Sequence, residues 1–137
     1  MSPRSEQVKV ADWMSRRVVS VKPEEPLVRA LELMAEQGIR HVLVCRDGDL
    51  SGILSNRDVI RATGQAGDQR LELQRTSVEG VMTPGPLETT WPGASLREAA
   101  SRMREARISA LPVLDGAALV GVITTDDLLA AVAEGHL

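Results

Sequence analysis

Apolar and polar positions alternate along this chain in one order that occurs twice. In the first half, Val18 to Val21 is a short strand signal ended by Lys22-Pro23, and Leu27, Ala30, Leu31 and Met34 then recur at helical spacing until Gly38. HVLVC and LSGIL flank the turn signal RDGD, so the next segment is a β-hairpin, and a second helix begins at about Asn56. The second half repeats the order. SLRE opens a helix with Ser95 and Glu98 in a capping-box pattern, continued by Leu96, Ala99, Ala100 and Met103. ALPVL and ALVGVI flank DGA as a second hairpin, and a last helix begins at about Thr125. A short turn precedes each half, at VADWM and at VEGVM.

A shift of 69 residues superposes the halves. Pro23, Leu27, Ala30, Met34, Glu36, Ile39, Val44, Leu50, Gly52, Asp58 and Ala62 fall on Pro92, Leu96, Ala99, Met103, Glu105, Ile108, Val113, Leu119, Gly121, Asp127 and Ala131, which is 11 identities in the 42 positions from 21 to 62. Before this block the spacing is 68, where Val10 and Met14 match Val78 and Met82. The chain is therefore a duplicated β-α-β-β-α unit of α/β (α+β) class. The repeats span residues 8–62 and 78–134, joined by a polar connector over 63–77. A three-stranded sheet with two helices leaves one face uncovered, so the copies are expected to pack together around a shared core.

Composition narrows the function. At 137 residues, 43% hydrophobic and 26% charged, the chain has the balance of a folded globular protein. Phe and Tyr are absent and Trp occurs twice, so the core falls to Leu, Val, Ile, Ala and Met. A net charge of -3 and the lack of a basic block argue against nucleic acid as a partner. No run approaches a membrane span and MSPRSEQ lacks a signal peptide's apolar core, so the expected location is cytoplasmic, with no membrane partner. The single cysteine, Cys45, lies in an apolar run and reads as a small buried hydrophobe in a reduced compartment.

Chemistry gathers where each hairpin meets its last helix. GILSNRDV and GVITTDDL place Ser55 three residues before Asp58, and Thr124 three residues before Asp127. S/T-x-x-D is a variant capping box, and that suffices to explain one copy. The same groups also suit a ligand: a carboxylate accepts from two vicinal hydroxyls, and a hydroxyl at a helix start lies where N–H groups and the dipole favour phosphate. A ligand has to compete with the cap for these oxygens.

The ordered series M-(S/T), V-x-P, ALELM, I-x-x-h-P-V, DG and G-h-h-S/T-x-x-D resembles a tandem pair of CBS domains, the cystathionine β-synthase type that forms a Bateman module. The resemblance runs from about Val8 to Ala133 and uses about 130 of the 137 residues, so no catalytic domain remains to be assigned. It implies two repeats packed around a pseudo-two-fold axis, with adenosine ligands in the clefts between them. Carried over residue by residue, Asp58 and Asp127 are ribose acceptors with Ser55 and Thr124 beside them. Val19 and Val21 edge one base pocket, with Thr89 and Thr90 as approximate counterparts. Pro112 shapes the pocket of repeat 2, whereas Leu43 stands at the matching place in repeat 1.

The copies differ in charge. Repeat 1 carries Arg40, His41 and Arg57 where repeat 2 has Ser109, Ala110 and Asp126, so phosphate is expected at the basic set, and the resemblance equally allows Arg40 and Arg57 to reach across to the phosphate of a ligand whose ribose Asp127 holds. Arg40 and Arg57 read equally as solvated charges, and His41 as a structural strand residue. Trp91 either stacks on a base or is an exposed interface aromatic. Trp13 is expected to pack the lead-in turn, and His136, next to the C-terminus, to fray. No metal-spaced Cys/His cluster, G-x-S-x-G, P-loop or G-x-G-x-x-G is present, so the expectation is a non-enzymatic regulatory module without a resident cofactor or metal. Its ligand is an adenine nucleotide of the AMP, ADP or ATP class, or a relative such as NAD or S-adenosylmethionine. It is expected to form a homodimer and to act on a regulated partner protein. The alternative is a ligand-free dimerisation or docking module.

Overall fold

A computed structural model of the protein describes residues 8–64 and 69–136. Its elements are α1 (Val10–Trp13), β1 (Ser20–Val21), α2 (Leu27–Gln37), β2 (His41–Arg46), β3 (Asp49–Ser55), α3 (Asn56–Thr63), α4 (Gln69–Arg75), a 3₁₀ turn (Val78–Gly80), β4 (Thr83–Pro84), α5 (Leu96–Ala106), β5 (Ala110–Asp115), β6 (Ala118–Thr124) and α6 (Thr125–Ala133). The chain condenses into two compact units. One is Val19–Leu87; the other joins the residues up to Val18 to those from Glu88 onward.

In the Val19–Leu87 unit the sheet order is β1-β2-β3-β4, with β1 parallel to β2 and the remaining pairs antiparallel. The β2–β3 turn places Asp47 at φ 52° and Gly48 at φ 85°, the two left-handed residues that an Asp-Gly hairpin turn supplies. Val21, Leu27, Ala30, Met34, Val42, Val44, Leu54, Val59 and Val78 form its buried core. Gly38 stops α2 in the left-handed conformation, and the Ile39 amide closes back onto the Met34 carbonyl at 3.0 Å. The 63–77 connector contains α4, whose Leu73 packs against this core. Leu71 and Leu73 lie two apart rather than three or four, so the segment carries no helical stripe in sequence. Residues 65–68 of the connector lie outside the described residues.

The other unit repeats the plan with β5 and β6 antiparallel and a core of Val10, Met14, Ala94, Leu96, Ala99, Met103, Leu111, Val113, Ile123 and Ala131. Arg107, at φ 58°, occupies the place of Gly38, and the Ile108 amide closes onto the Met103 carbonyl at 3.0 Å. Ser95 caps α5 by accepting from the Glu98 amide at 3.0 Å. The reciprocal half of the capping box is not made, and the Glu98 carboxylate lies 3.7 Å from the Arg102 guanidinium. The first strand of this repeat shrinks to a single parallel bridge, Thr90 to Val113. The cause is a proline. In the first repeat the Leu43 amide donates to the Val19 carbonyl at 3.0 Å, and the matching residue, Pro112, has no N–H to give.

Each unit takes its lead-in from the other sequence repeat. Val10 and Ala11 donate to the carbonyls of Ala94 and Pro92 at 2.9 and 3.0 Å, and Leu96 donates to Val8 at 2.9 Å. In the Val19–Leu87 unit, Val78 and Glu79 donate to Glu25 and Pro23, both at 2.8 Å, and Leu27 donates to Thr76 at 2.9 Å. The repeated glycines mark the same exchange. A Cβ on Gly121 would lie 2.5 Å from the Ser15 carbonyl oxygen and 3.3 Å from the Met14 sulfur. On Gly52 it would lie 2.5 Å from the Met82 sulfur and 2.8 Å from the Thr83 carbonyl oxygen. Only glycine admits so close a backbone. His136 is held rather than frayed: its amide donates to Ala131 at 2.8 Å and its ring stands edge-on to Trp13 with centroids 5.5 Å apart.

Candidate functional site

The register of the strands brings the polar residues together. β3 ends at Ser55, which pairs with His41 at the start of β2, and α3 opens one residue later. The Asn56 amide donates to the Arg40 carbonyl at 2.8 Å, so Arg40 flanks the helix start and Arg57 lies in its first turn. Ser55 Oγ accepts from the Asp58 amide at 3.0 Å, and Asp58 Oδ2 accepts from the Ser55 amide at 3.0 Å. Val19 accepts from the Leu43 amide at 3.0 Å, two residues along β2 from His41, so it lies roughly 7 Å from this end. The helix start therefore carries a complete capping box, with Arg40, Ser55, Arg57 and Asp58 in one neighbourhood.

The other unit builds the matching end. Ala110 pairs with Thr124, and the Thr125 amide donates to the Ser109 carbonyl at 3.0 Å. Asp127 Oδ2 accepts from the Thr124 amide at 2.8 Å and from the Thr124 hydroxyl at 3.2 Å, and the Asp127 amide points at that hydroxyl from 3.4 Å. Burial raises the Asp127 carboxyl pKa from its ordinary value. The amide and hydroxyl of Thr124 pull it down, and the neighbouring Asp126 charge adds to the rise. Among the described residues, Oδ1 of Asp58 and Oδ1 of Asp127 accept no hydrogen bond, so each cap uses only one of its two carboxylate oxygens.

The structure places the apolar candidates less evenly. Val19 is partly buried, but Val21 is 3% exposed and its side chain belongs to the unit's core. Thr90, also 3% exposed, donates through its amide to the Pro112 carbonyl at 3.0 Å, which brings those two residues together. They lie two and three residues along β5 from Ala110, roughly 7 and 10 Å from the Thr124 end. Trp91 is 46% exposed in the turn before α5, beside Gly93. Burial raises the Cys45 thiol pKa, against a lowering by the Ser20 hydroxyl and with a smaller rise from Asp49, so it stays a neutral thiol at ordinary pH. Gly52 and Gly121, three residues before Ser55 and Thr124, were absent from the expected site, although their identity in both repeats is the signal that points to them.

The CBS domain family model matches residues 10–64 and 78–134. The chain belongs to the CBS domain family. Its paired CBS repeats are 32% identical over 120 residues to the CBS domain-containing protein YhcV of Bacillus subtilis, covering 87% of this chain and 81% of that one. A homoserine O-acetyltransferase of Methanosphaerula palustris is 30% identical over 128 residues, and there the chain spans 24% of the enzyme's length. Among solved structures, a CBS-domain protein from Burkholderia ambifaria matches with a TM-score of 0.83 at 32% identity, covering 95% of this chain and 97% of that one. The CBS domain pair of MJ0100, in complex with 5′-methylthioadenosine and S-adenosyl-L-methionine, matches with a TM-score of 0.80 at 22% identity, covering 93% and 97%. CBSX2 in complex with AMP matches at 0.77 and 24%, covering 93% and 98%. These last two show the shared CBS fold. No helix among the described residues is long and apolar enough to cross a membrane.

Proposed function

We propose that this CBS pair is a regulatory module that binds an adenosine-containing ligand through Asp58 and Asp127, at the two ends where a hairpin feeds a capped helix. The observation that carries the reading is the duplicated capping box with one carboxylate oxygen left over in each copy. That oxygen suits a ribose diol, because a carboxylate accepts from two hydroxyls that a neutral side chain would hold more weakly. The adenosine ligands named with MJ0100 and CBSX2 belong to this class. Regulation follows if the ligand has different affinities for two conformations or association states.

A second reading, a dimerisation or docking module, has its own observation. Ile60 and Leu129 occupy matching positions on α3 and α6 and are 62% and 64% exposed. Thermal melting separates the two. With AMP, ADP, ATP, NAD, 5′-methylthioadenosine or S-adenosylmethionine at about 100 times Kd, binding adds about 2.7 kcal/mol and raises the Tm by several degrees. The rise is lost in the Asp58→Ala, Asp127→Ala double variant. If no member of the panel raises the Tm by about 1–2 °C, the nucleotide reading is overturned and the docking reading stands.

A further inference from the structure

The last helix of each repeat is anchored from one side. Val59 is the buried residue of α3 and Ala131 that of α6, and each belongs to the core of its own unit. The opposite stripe of each helix is exposed at positions i, i+3 and i+4: Arg57, Ile60 and Arg61 on α3, and Asp126, Leu129 and Ala130 on α6, continued one turn further by Ala133. The stripes superpose under the shift of 69 residues, so the repeats present one place with opposite charge. An aliphatic side chain stands in the middle of both, and on α6 the neighbouring Val132 is 53% exposed as well. Among the described residues, none of Arg57, Arg61 and Asp126 makes an ion pair with another. The capping aspartates are common to both helices and do not distinguish them.

We infer that these stripes form an interface with a second copy of the chain, in which α3 of one copy packs on α6 of the other. The inference rests on the docking reading and adds the occupant and the pairing. Ile60 against Leu129 takes two exposed aliphatic side chains out of water, and Ala130 and Ala133 are small enough to let the helices approach closely. The same contact sets the arginine pair against Asp126, with Glu134 at the end of α6 adding to the acidic side. Pairing α3 with α3 would set Arg57 and Arg61 against their own copies, and pairing α6 with α6 would do the same with Asp126, so like charges disfavour both self-pairings. Under a two-fold axis the contact forms twice, which brings a pair of short helices nearer to the area that a stable dimer buries.

The test is sedimentation equilibrium of nucleotide-free protein over a series of concentrations. Wild type is expected to dimerise, and Arg57→Glu with Arg61→Glu, which makes both stripes acidic, is expected to weaken the dimer at least about tenfold. Adding Asp126→Arg and Ala130→Arg to that variant exchanges the signs of the two stripes and is expected to bring the dimer back to within about threefold of wild type. All four side chains are exposed, so these changes report charge rather than folding. A second measurement does not depend on them: chains carrying Ile60→Cys mixed with chains carrying Leu129→Cys should form a mixed disulfide on mild oxidation, in excess of either self-linked pair, with wild type and its own Cys45 as the blank. Self-linked pairs in excess, or a dimer whose strength moves by less than about twofold with the charge changes, overturns the pairing of α3 with α6. The docking reading survives that result if Ile60→Asp with Leu129→Asp still breaks the dimer. Wild type that stays monomeric throughout the series overturns the pairing and, for a second copy, the docking reading with it, while the adenosine reading is untouched.

Discussion

Replacing Gly121 by alanine should lift the lead-in segment off β6. The new Cβ would stand 2.5 Å from the Ser15 carbonyl oxygen and 3.4 Å from its carbon, so the backbone has to move by nearly 1 Å to restore ordinary contact. Ser15 is tied to β6 by a reciprocal pair of bonds with Val122, at 2.9 and 3.0 Å, and a shift of that size breaks or strains both. Two net hydrogen bonds contribute about 1–3 kcal/mol, and overpacking a tight contact costs about 1–3 kcal/mol, so the loss is about 2–6 kcal/mol. At this chain length each kcal/mol moves the Tm by about 3–5 °C, which gives a drop of roughly 6–30 °C in a calorimetric scan. Gly52→Ala should cost less, about 1–3 kcal/mol. Its nearest neighbour is the Met82 thioether, which can rotate away, although the Thr83 carbonyl at 2.8 Å cannot. Gly80→Ala is the control, because the Ser77 hydroxyl lies 3.7 Å from the added carbon; it should change stability by no more than about 1 kcal/mol. A Gly121→Ala protein that melts with wild type, or no lower than Gly80→Ala, would refute the close-approach account of the repeated glycine.

Asp127→Asn should raise stability at neutral pH while weakening ligand binding. The amide oxygen still accepts from the Thr124 amide, and the desolvated charge that raises the Asp127 pKa is gone. An acid whose folded pKa is raised contributes stability that is lost as pH climbs from the ordinary carboxylate range through the folded pKa. The variant's advantage over wild type should therefore vanish below that range and grow to a plateau above it, as melting curves from pH 3 to 8 (roughly) would report. A variant clearly less stable than wild type at neutral pH would count against burial as the dominant cause. Leu43→Pro should cost about 2–5 kcal/mol and leave the β2–β3 hairpin formed, because it removes the amide that serves Val19 and trims a buried side chain, as at Pro112. Global unfolding by circular dichroism would show that the two repeats are not interchangeable at this position.

Much of the local structure was legible because it depends on neighbours in the chain. The spacing of Leu27, Ala30 and Met34 marks α2, Asp47-Gly48 supplies the hairpin turn, and Ser55–Asp58 and Thr124–Asp127 close capping boxes without outside help. The duplication itself located both candidate sites, since the same end of each hairpin carries the same hydroxyl and carboxylate. Other features were not legible locally. Val21 reads as a pocket edge until the sheet turns its side chain into the core, and α4 shows no stripe because one leucine, Leu73, is enough to seat it.

The docking of the lead-ins was decided by tertiary structure alone. Val10 and Met14 match Val78 and Met82, and Gly52 matches Gly121, so in a duplicated sequence either lead-in complements either body. Sequence shows a short apolar lead-in before each repeat and a glycine at the matching place in each body. Which lead-in arrives depends on how the three-dimensional path brings the ends of the chain together. In this protein residues 8–14 go to the body that holds Thr124 and Asp127, and residues 76–82 go to the body that holds Ser55 and Asp58.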